Sequence, residues 1–184
     1  MHKAIDIANF FIDMAHSEEE GYITNLKVNK LLYFAQAWSL VRLGRPLFDE
    51  RIEAWQYGPV VPDVYSAFKG YGGAGITKPD GAYSPDSFSD DELQLLIDIQ
   101  REYGKYTASA LVDITHENGS PWWQVYHGSG QTISTETMKD YFSRKGALNT
   151  FKTRNIEKRE AVGYRDPSDG RLVLPAEYND GYTA

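Results

Sequence analysis

Trp55-Gln56-Tyr57-Gly58-Pro59-Val60-Val61-Pro62-Asp63-Val64-Tyr65 (WQYGPVVPDVY) is neither an ordinary helix nor an ordinary strand. Two prolines and a glycine interrupt a run of large apolar side chains. The residue before each proline is pushed out of helical geometry, so Gly58-Pro59 is expected to end an extended segment. Pro62 suits a first helical turn, where its missing N–H costs nothing. Val61, Val64, Tyr65 and Phe68 then follow at i, i+3, i+4 and i+7, one apolar face of a short helix. The stretch therefore reads as strand end, rigid turn and helix start.

Upstream, Ile5, Ala8, Phe11, Ile12 and Ala15 recur at helical spacing, and the Glu18–Gly21 run breaks that pattern. Thr24 or Asn25 can cap a longer helix through Leu43, with Gly44 as its stop. Its Val28, Leu31, Leu32, Ala35 and Trp38 require much of it to be buried. Lys27 and Lys30 on this helix read as its solvated face rather than as phosphate contacts of a helix-turn-helix. Between Gly44 and Trp55, two apolar pieces flank Asp49-Glu50-Arg51, which predicts a small hairpin over residues 46–56.

Downstream, glycines 70–75 open a loop to about Ser87. They lack the GxxxxGK[ST] spacing of a phosphate-binding loop, so a loop is the reading adopted. Ser89-Asp90-Asp91-Glu92 is a capping box leading into Leu93, Leu96, Ile97 and Gln100, with Gly104 as the stop. Thr107 can cap a helix with Ala110, Leu111 and Ile114. Ser120-Pro121 starts a short helix carrying Trp122, Trp123 and Tyr126. Ser134 precedes an amphipathic helix that turns Met138, Tyr141 and Phe142 inward. The fold class expected is mainly α: a compact multi-helix domain over 1–147, one small β-hairpin, and a polar C-terminal extension over 148–184.

Composition narrows the function. The 184 residues can bury a sizeable core, and 41% hydrophobic and 14% aromatic residues fit a globular chain. There is no cysteine, which excludes disulfides, thiolate nucleophiles and cysteine metal sites and suits a cytoplasmic protein. Asp6, Asn9 and Asp13 interrupt the N-terminal apolar run, and no window approaches a membrane helix. The formal charge of −7 repels phosphate backbones, so nucleic acid is not the expected partner. Six basic and six acidic residues leave the extension neutral, so the whole charge falls on 1–147.

Chemistry-bearing constellations are sparse. Asp113, His116-Glu117 and His127 are near in sequence but lack HxxxH or HExxH spacing. Ser120, Ser129 and Ser134 have no nucleophile elbow around them. Trp122-Trp123 beside Tyr126 could stack bases, but the acidic balance favours a core or partner-contact role. Neither a catalytic residue nor a cofactor is expected.

Taken in order, Leu31-Leu32-Tyr33-Phe34-Ala35-Gln36-Ala37-Trp38, Pro46-Leu47-Phe48-Asp49-Glu50, Glu53-Ala54-Trp55, Tyr57-Gly58-Pro59-Val60-Val61-Pro62 and Tyr65 form a series. It closely resembles the SocA-like Panacea domain family of prophages and toxin–antitoxin operons. Leu111–Glu117 followed by Ser120-Pro121-Trp122, then Ile133-Ser134 and Tyr141-Phe142, extend the resemblance over roughly residues 3–146.

It implies a helical antitoxin that neutralises a co-encoded toxin by direct contact or by handing it to a protease. It implies no enzyme activity. Trp, Tyr and Arg carry most interface energy, so Trp55, Tyr57, Pro59, Tyr65, Trp122 and Trp123 are the partner-binding candidates. Trp55 and Val61 should fix the corner against the helices, with Tyr57, Pro59 and Tyr65 building a surface beside it. A DNA-binding prophage regulator and a hydrolase or metalloenzyme using His116 and Glu117 are the alternative readings.

Overall fold

In the computed structural model, residues 1–17, 22–128, 130–146 and 148 are described, together with the strand residues 164–165 and 172–173. The chain divides into two compact units, Met1–Thr150 and Phe151–Ala184.

The first unit is built around one helix. Helix α1 spans Ala4–His16, and strand β1 (Ile23–Thr24) leads into α2 (Asn25–Arg42). Thr24 is the cap: its hydroxyl accepts from the Lys27 N–H. From Val28 to Leu40 every residue of α2 is buried. It is surrounded by α1, by α3 (Pro62–Phe68), by α4 (Asp90–Tyr103), by α5 (Ala108–Thr115) and by α7 (Thr135–Arg144). A helix enclosed on all sides has no solvated face. This corrects the expectation for two lysines. Lys30 is fully buried and its amine donates to the Pro59 carbonyl at 2.9 Å. Lys27 is half-buried and donates to the Gly104 carbonyl.

Aromatic rings fill the space between α2 and its neighbours. Phe34 stacks on Tyr103 with centroids 3.9 Å apart, and Phe142 of α7 meets Tyr33, Phe34 and Trp38 edge-on. The Trp38 indole donates to the Tyr103 hydroxyl, so the buried polar edge has a partner.

The expected caps at Ser89, Thr107, Ser120 and Ser134 all form, and Ser89 with Glu92 makes the full capping box. On α4 the buried stripe is rotated from the expected one. Leu95, Leu96, Ile99 and Gln100 face the core, while Leu93 and Ile97 are half-buried. The stripe 92-95-96-99-100 also satisfies helical spacing, and packing against α2 and α1 selects it.

The hairpin lies further along the chain than residues 46–56. Strands β2 (Glu53–Trp55) and β3 (Gly58–Val60) pair antiparallel, with Gln56-Tyr57 as the two-residue turn. Pro59 is thus within a strand rather than ending one. A proline is tolerated there because β3 is an edge in the order β3-β2-β5, where β5 is Gln131–Thr132. Residues 46–50 are held differently. The Gln36 side chain accepts from the Leu47 N–H and donates to the Phe48 carbonyl, and Glu50 accepts from the Ala4 N–H at the start of α1. Within the glycine run, β4 (Gly75–Ile76) pairs with β1.

In the second unit, β6 (Tyr164–Arg165) and β7 (Leu172–Val173) pair antiparallel. Ser129, one of the serines considered above, lies outside the described residues.

Candidate functional site

The β2–β3 corner is fixed from below. Val61 is fully buried, and its N–H donates to the Asn29 Oδ1 of α2 at 2.9 Å. Asn25 and Asn29 are themselves tied: Asn29 Nδ2 donates to the Asn25 carbonyl and side chain, and Asn25 Nδ2 donates to the Tyr65 carbonyl. The start of α2 thereby clamps both the hairpin and α3. Beside the clamp is a groove of about 600 Å³, lined by Asn25, Leu26, Asn29, Trp55, Gln56, Tyr57, Val60, Tyr65, Lys69 and Gly72. Trp55 meets Tyr65 edge-on at 4.9 Å, and its indole donates to Glu53.

A buried polar cluster underlies the hairpin. Gly58 has φ +95°, and a methyl group added there would lie 2.7 Å from both Lys30 Cε and Thr115 Oγ1. Only glycine gives that backbone and that approach together. Lys30 sits against it, and burial pulls its pKa from 10.5 down to about 7. Its amine donates to the Pro59 carbonyl at 2.9 Å.

His116, at the C-terminal end of α5, stacks on Trp122 at 3.6 Å with the rings 12° from parallel. Burial, followed by the Lys30 charge, lowers its pKa. Its buried Nε2 has no hydrogen-bond partner among the described residues. The Trp122 indole, on α6 (Pro121–Val125), donates to the Trp55 carbonyl at 2.8 Å. Residues 67 apart in sequence are thereby joined, and the hairpin and α6 form one supported piece.

The six candidate contact residues fall into three environments. Tyr57 at the hairpin turn and Trp123 on α6 are 62% and 51% exposed. Trp55 and Tyr65 are half-buried and line the groove. Pro59 and Trp122 are buried. The sequence reading missed Lys30, Asn25 and Asn29. Polar residues spaced among the apolar positions of α2 were the available signal.

His116 and Glu117 do not converge on a common point. Glu117 accepts from Lys145 and from the Tyr141 hydroxyl at 2.9 Å, and the Lys145 hydrogen bond is the first cause of its lowered pKa. Among the described residues, no group of three or more His, Cys, Asp or Glu is gathered to hold a metal ion. Likewise, no helix among them is long and apolar enough to cross a membrane.

Comparison with known proteins places this chain in a family. Residues 28–123 match the family described as antitoxin SocA-like, Panacea domain. The chain is also 34% identical, over 140 residues, to "Antitoxin SocA" of Caulobacter vibrioides (strain NA1000 / CB15N). That alignment covers 69% of this chain and 72% of the relative. The protein therefore belongs to the SocA-like Panacea antitoxin family. No solved structure matches it.

Proposed function

We propose that the protein is an antitoxin that neutralises a toxin encoded beside it by forming a direct protein–protein complex in the cytoplasm, without turnover. Family membership supplies the class of partner. The observation that carries the mode of action is the pair of exposed aromatics on braced elements, Tyr57 at 62% and Trp123 at 51% exposure, with an aromatic groove beside the hairpin. An aromatic side chain on a rigid element loses little entropy when it docks, which is what a hot spot requires. The net charge of −7 favours a partner with a basic face by speeding encounter.

The test is co-expression with the neighbouring gene's product. Alanine variants of Tyr57, Tyr65 and Trp123 that melt like wild type are compared for rescue and co-purification. Loss of one true anchor costs ~2 kcal/mol or more, about a thirtyfold loss of affinity. Wild-type binding by all three variants would refute the assignment of the interface. The toxin's half-life in the same cells separates plain inhibition, which leaves it unchanged, from delivery to a protease, which shortens it.

A further inference from the structure

We infer that the groove beside the hairpin accepts a side-chain anchor from the toxin, a bulky apolar or aromatic residue with an Asp or Glu within about one helical turn of it, and not an added β-strand. This rests on the reading of the protein as a direct toxin binder and names what that toxin must present.

The groove's size, about 600 Å³, lies within the range of sites that enclose a compact group. Leu26, Val60, Trp55 and Tyr65 give it apolar and aromatic walls. Strand addition, the usual way an edge strand captures a peptide, is closed off here. Pro59 has no N–H, its carbonyl is taken by Lys30, and the next N–H, of Val61, is taken by Asn29. The free edge of β3 therefore presents no ladder, and a partner must insert a side chain instead.

Polarity decides what accompanies that side chain. The amides of Asn25 and Asn29 are committed to Tyr65, Asn25 and Val61, so they do not read the ligand. Lys69 is the one charged residue lining the groove. It is exposed, and its side chain makes no hydrogen bond or ion pair among the described residues. A lone cation at the rim of an apolar groove is complemented by a carboxylate. In a chain of net charge −7 that makes it a local exception. A toxin drawn in by a basic face must still place one acid at this point, which fixes register and excludes partners that cannot. A nucleobase could stack on the same rings, but its phosphate would meet one lysine in a repelling field.

The experiment uses the full chain and the toxin from the adjacent gene. The photoreactive residue p-benzoylphenylalanine replaces Tyr57, and the cross-linked toxin segment is mapped. In parallel, affinity is measured for Leu26→Trp, which fills the groove, and for Lys69→Glu, an exposed change that leaves folding intact. Melting curves check both. The expected results are a cross-link to a segment with a large apolar residue and a nearby Asp or Glu, about thirtyfold weaker binding for Leu26→Trp, and about tenfold weaker binding for Lys69→Glu. Changing the mapped acid to Lys should restore binding to Lys69→Glu.

If a complex forms but both variants bind as wild type, or the mapped segment has no acid, the groove assignment falls while direct binding stands. If no complex forms between the wild-type proteins, the underlying reading falls and takes this one with it. Saturable binding of ATP or a short oligonucleotide that Leu26→Trp abolishes would overturn the proposal in favour of a nucleotide site.

Discussion

Replacing Lys30 with methionine should change how the fold responds to pH. The wild-type amine is fully buried, and burial lowers its pKa from 10.5 to about 7. Between those values the unfolded chain holds a proton that the folded chain has released. Stability therefore rises with pH across the window and is lowest at and below pH 7. At 1.36 kcal/mol per pH unit the interval from pH 7 to 9.5 is worth roughly 3 kcal/mol, and the whole cost near pH 7 roughly 4–5 kcal/mol.

Methionine keeps most of the stem and removes that cost, but leaves the Pro59 carbonyl without its donor, a loss of ~1–3 kcal/mol. Near pH 7 the variant should be the more stable protein by ~2–3 kcal/mol. By pH 9.5 the two should be level or reversed. Tyrosines set the upper limit of the window. Burial pushes Tyr103 up to about 12 and Tyr33 well above 10, so stability falls again once unfolded tyrosines ionise above pH 10. Urea unfolding followed by tryptophan fluorescence from pH 7 to 9.5 reads the difference directly. Parallel profiles for the two proteins would refute the argument, because they would mean that the amine keeps its proton on folding.

Gly58→Ala should be strongly destabilising. Positive φ costs ~1–2 kcal/mol for a residue with Cβ and overpacking against Lys30 and Thr115 a further ~1–3, so melting should fall by about 5–15 °C. Trp122→Phe keeps a ring against His116 but removes the indole donor to the Trp55 carbonyl. It should lose ~1–3 kcal/mol in denaturant titrations. Glu92 is nearly buried. Burial raises its pKa, but hydrogen bonds from the Ser89 N–H, His2, Arg45 and the Ser89 hydroxyl outweigh that and bring it down to about 2. Its contribution is therefore present above pH 4.5 and lost as pH falls toward 2, and Glu92→Gln should flatten that acid limb by up to ~3 kcal/mol. His116 works in the same direction at higher pH. Its lowered pKa means stability is lost as pH falls below 6.5, and His116→Phe should remove that part of the slope in thermal melts.

What was legible in the sequence was mostly local. Thr24, Ser89, Thr107, Ser120 and Ser134 announce their helices because a capping hydroxyl acts within three residues of itself. Pro62 starts α3 for the same kind of reason. The hairpin was displaced because its register depends on an edge position and on a lysine from another helix, and neither is visible within residues 46–60. The charge of Lys30, taken alone, points to solvent. What buries it is the ring of helices around α2. At the candidate site, the aromatic composition of the corner could be read directly. The bond from Trp122 to Trp55 could not, since it joins residues 67 apart, and the stacking of His116 on Trp122 depends on how α5 meets α6 rather than on spacing.

The burial of α2 on every side bears on how this protein can be cut or fused. The family match begins at residue 28, inside that helix, and ends at residue 123, before α7. A fragment with those limits would lose α1 and α7 from the surface of the helix they enclose. It would strip Phe142 from Tyr33, Phe34 and Trp38 and discard the Thr24 cap. The part that can be recognised is thus smaller than the part that can fold. A transplant, truncation or tag inserted at the borders of the recognisable segment should give aggregated material, whereas a border in the loop after α7 leaves every wall of the central helix in place.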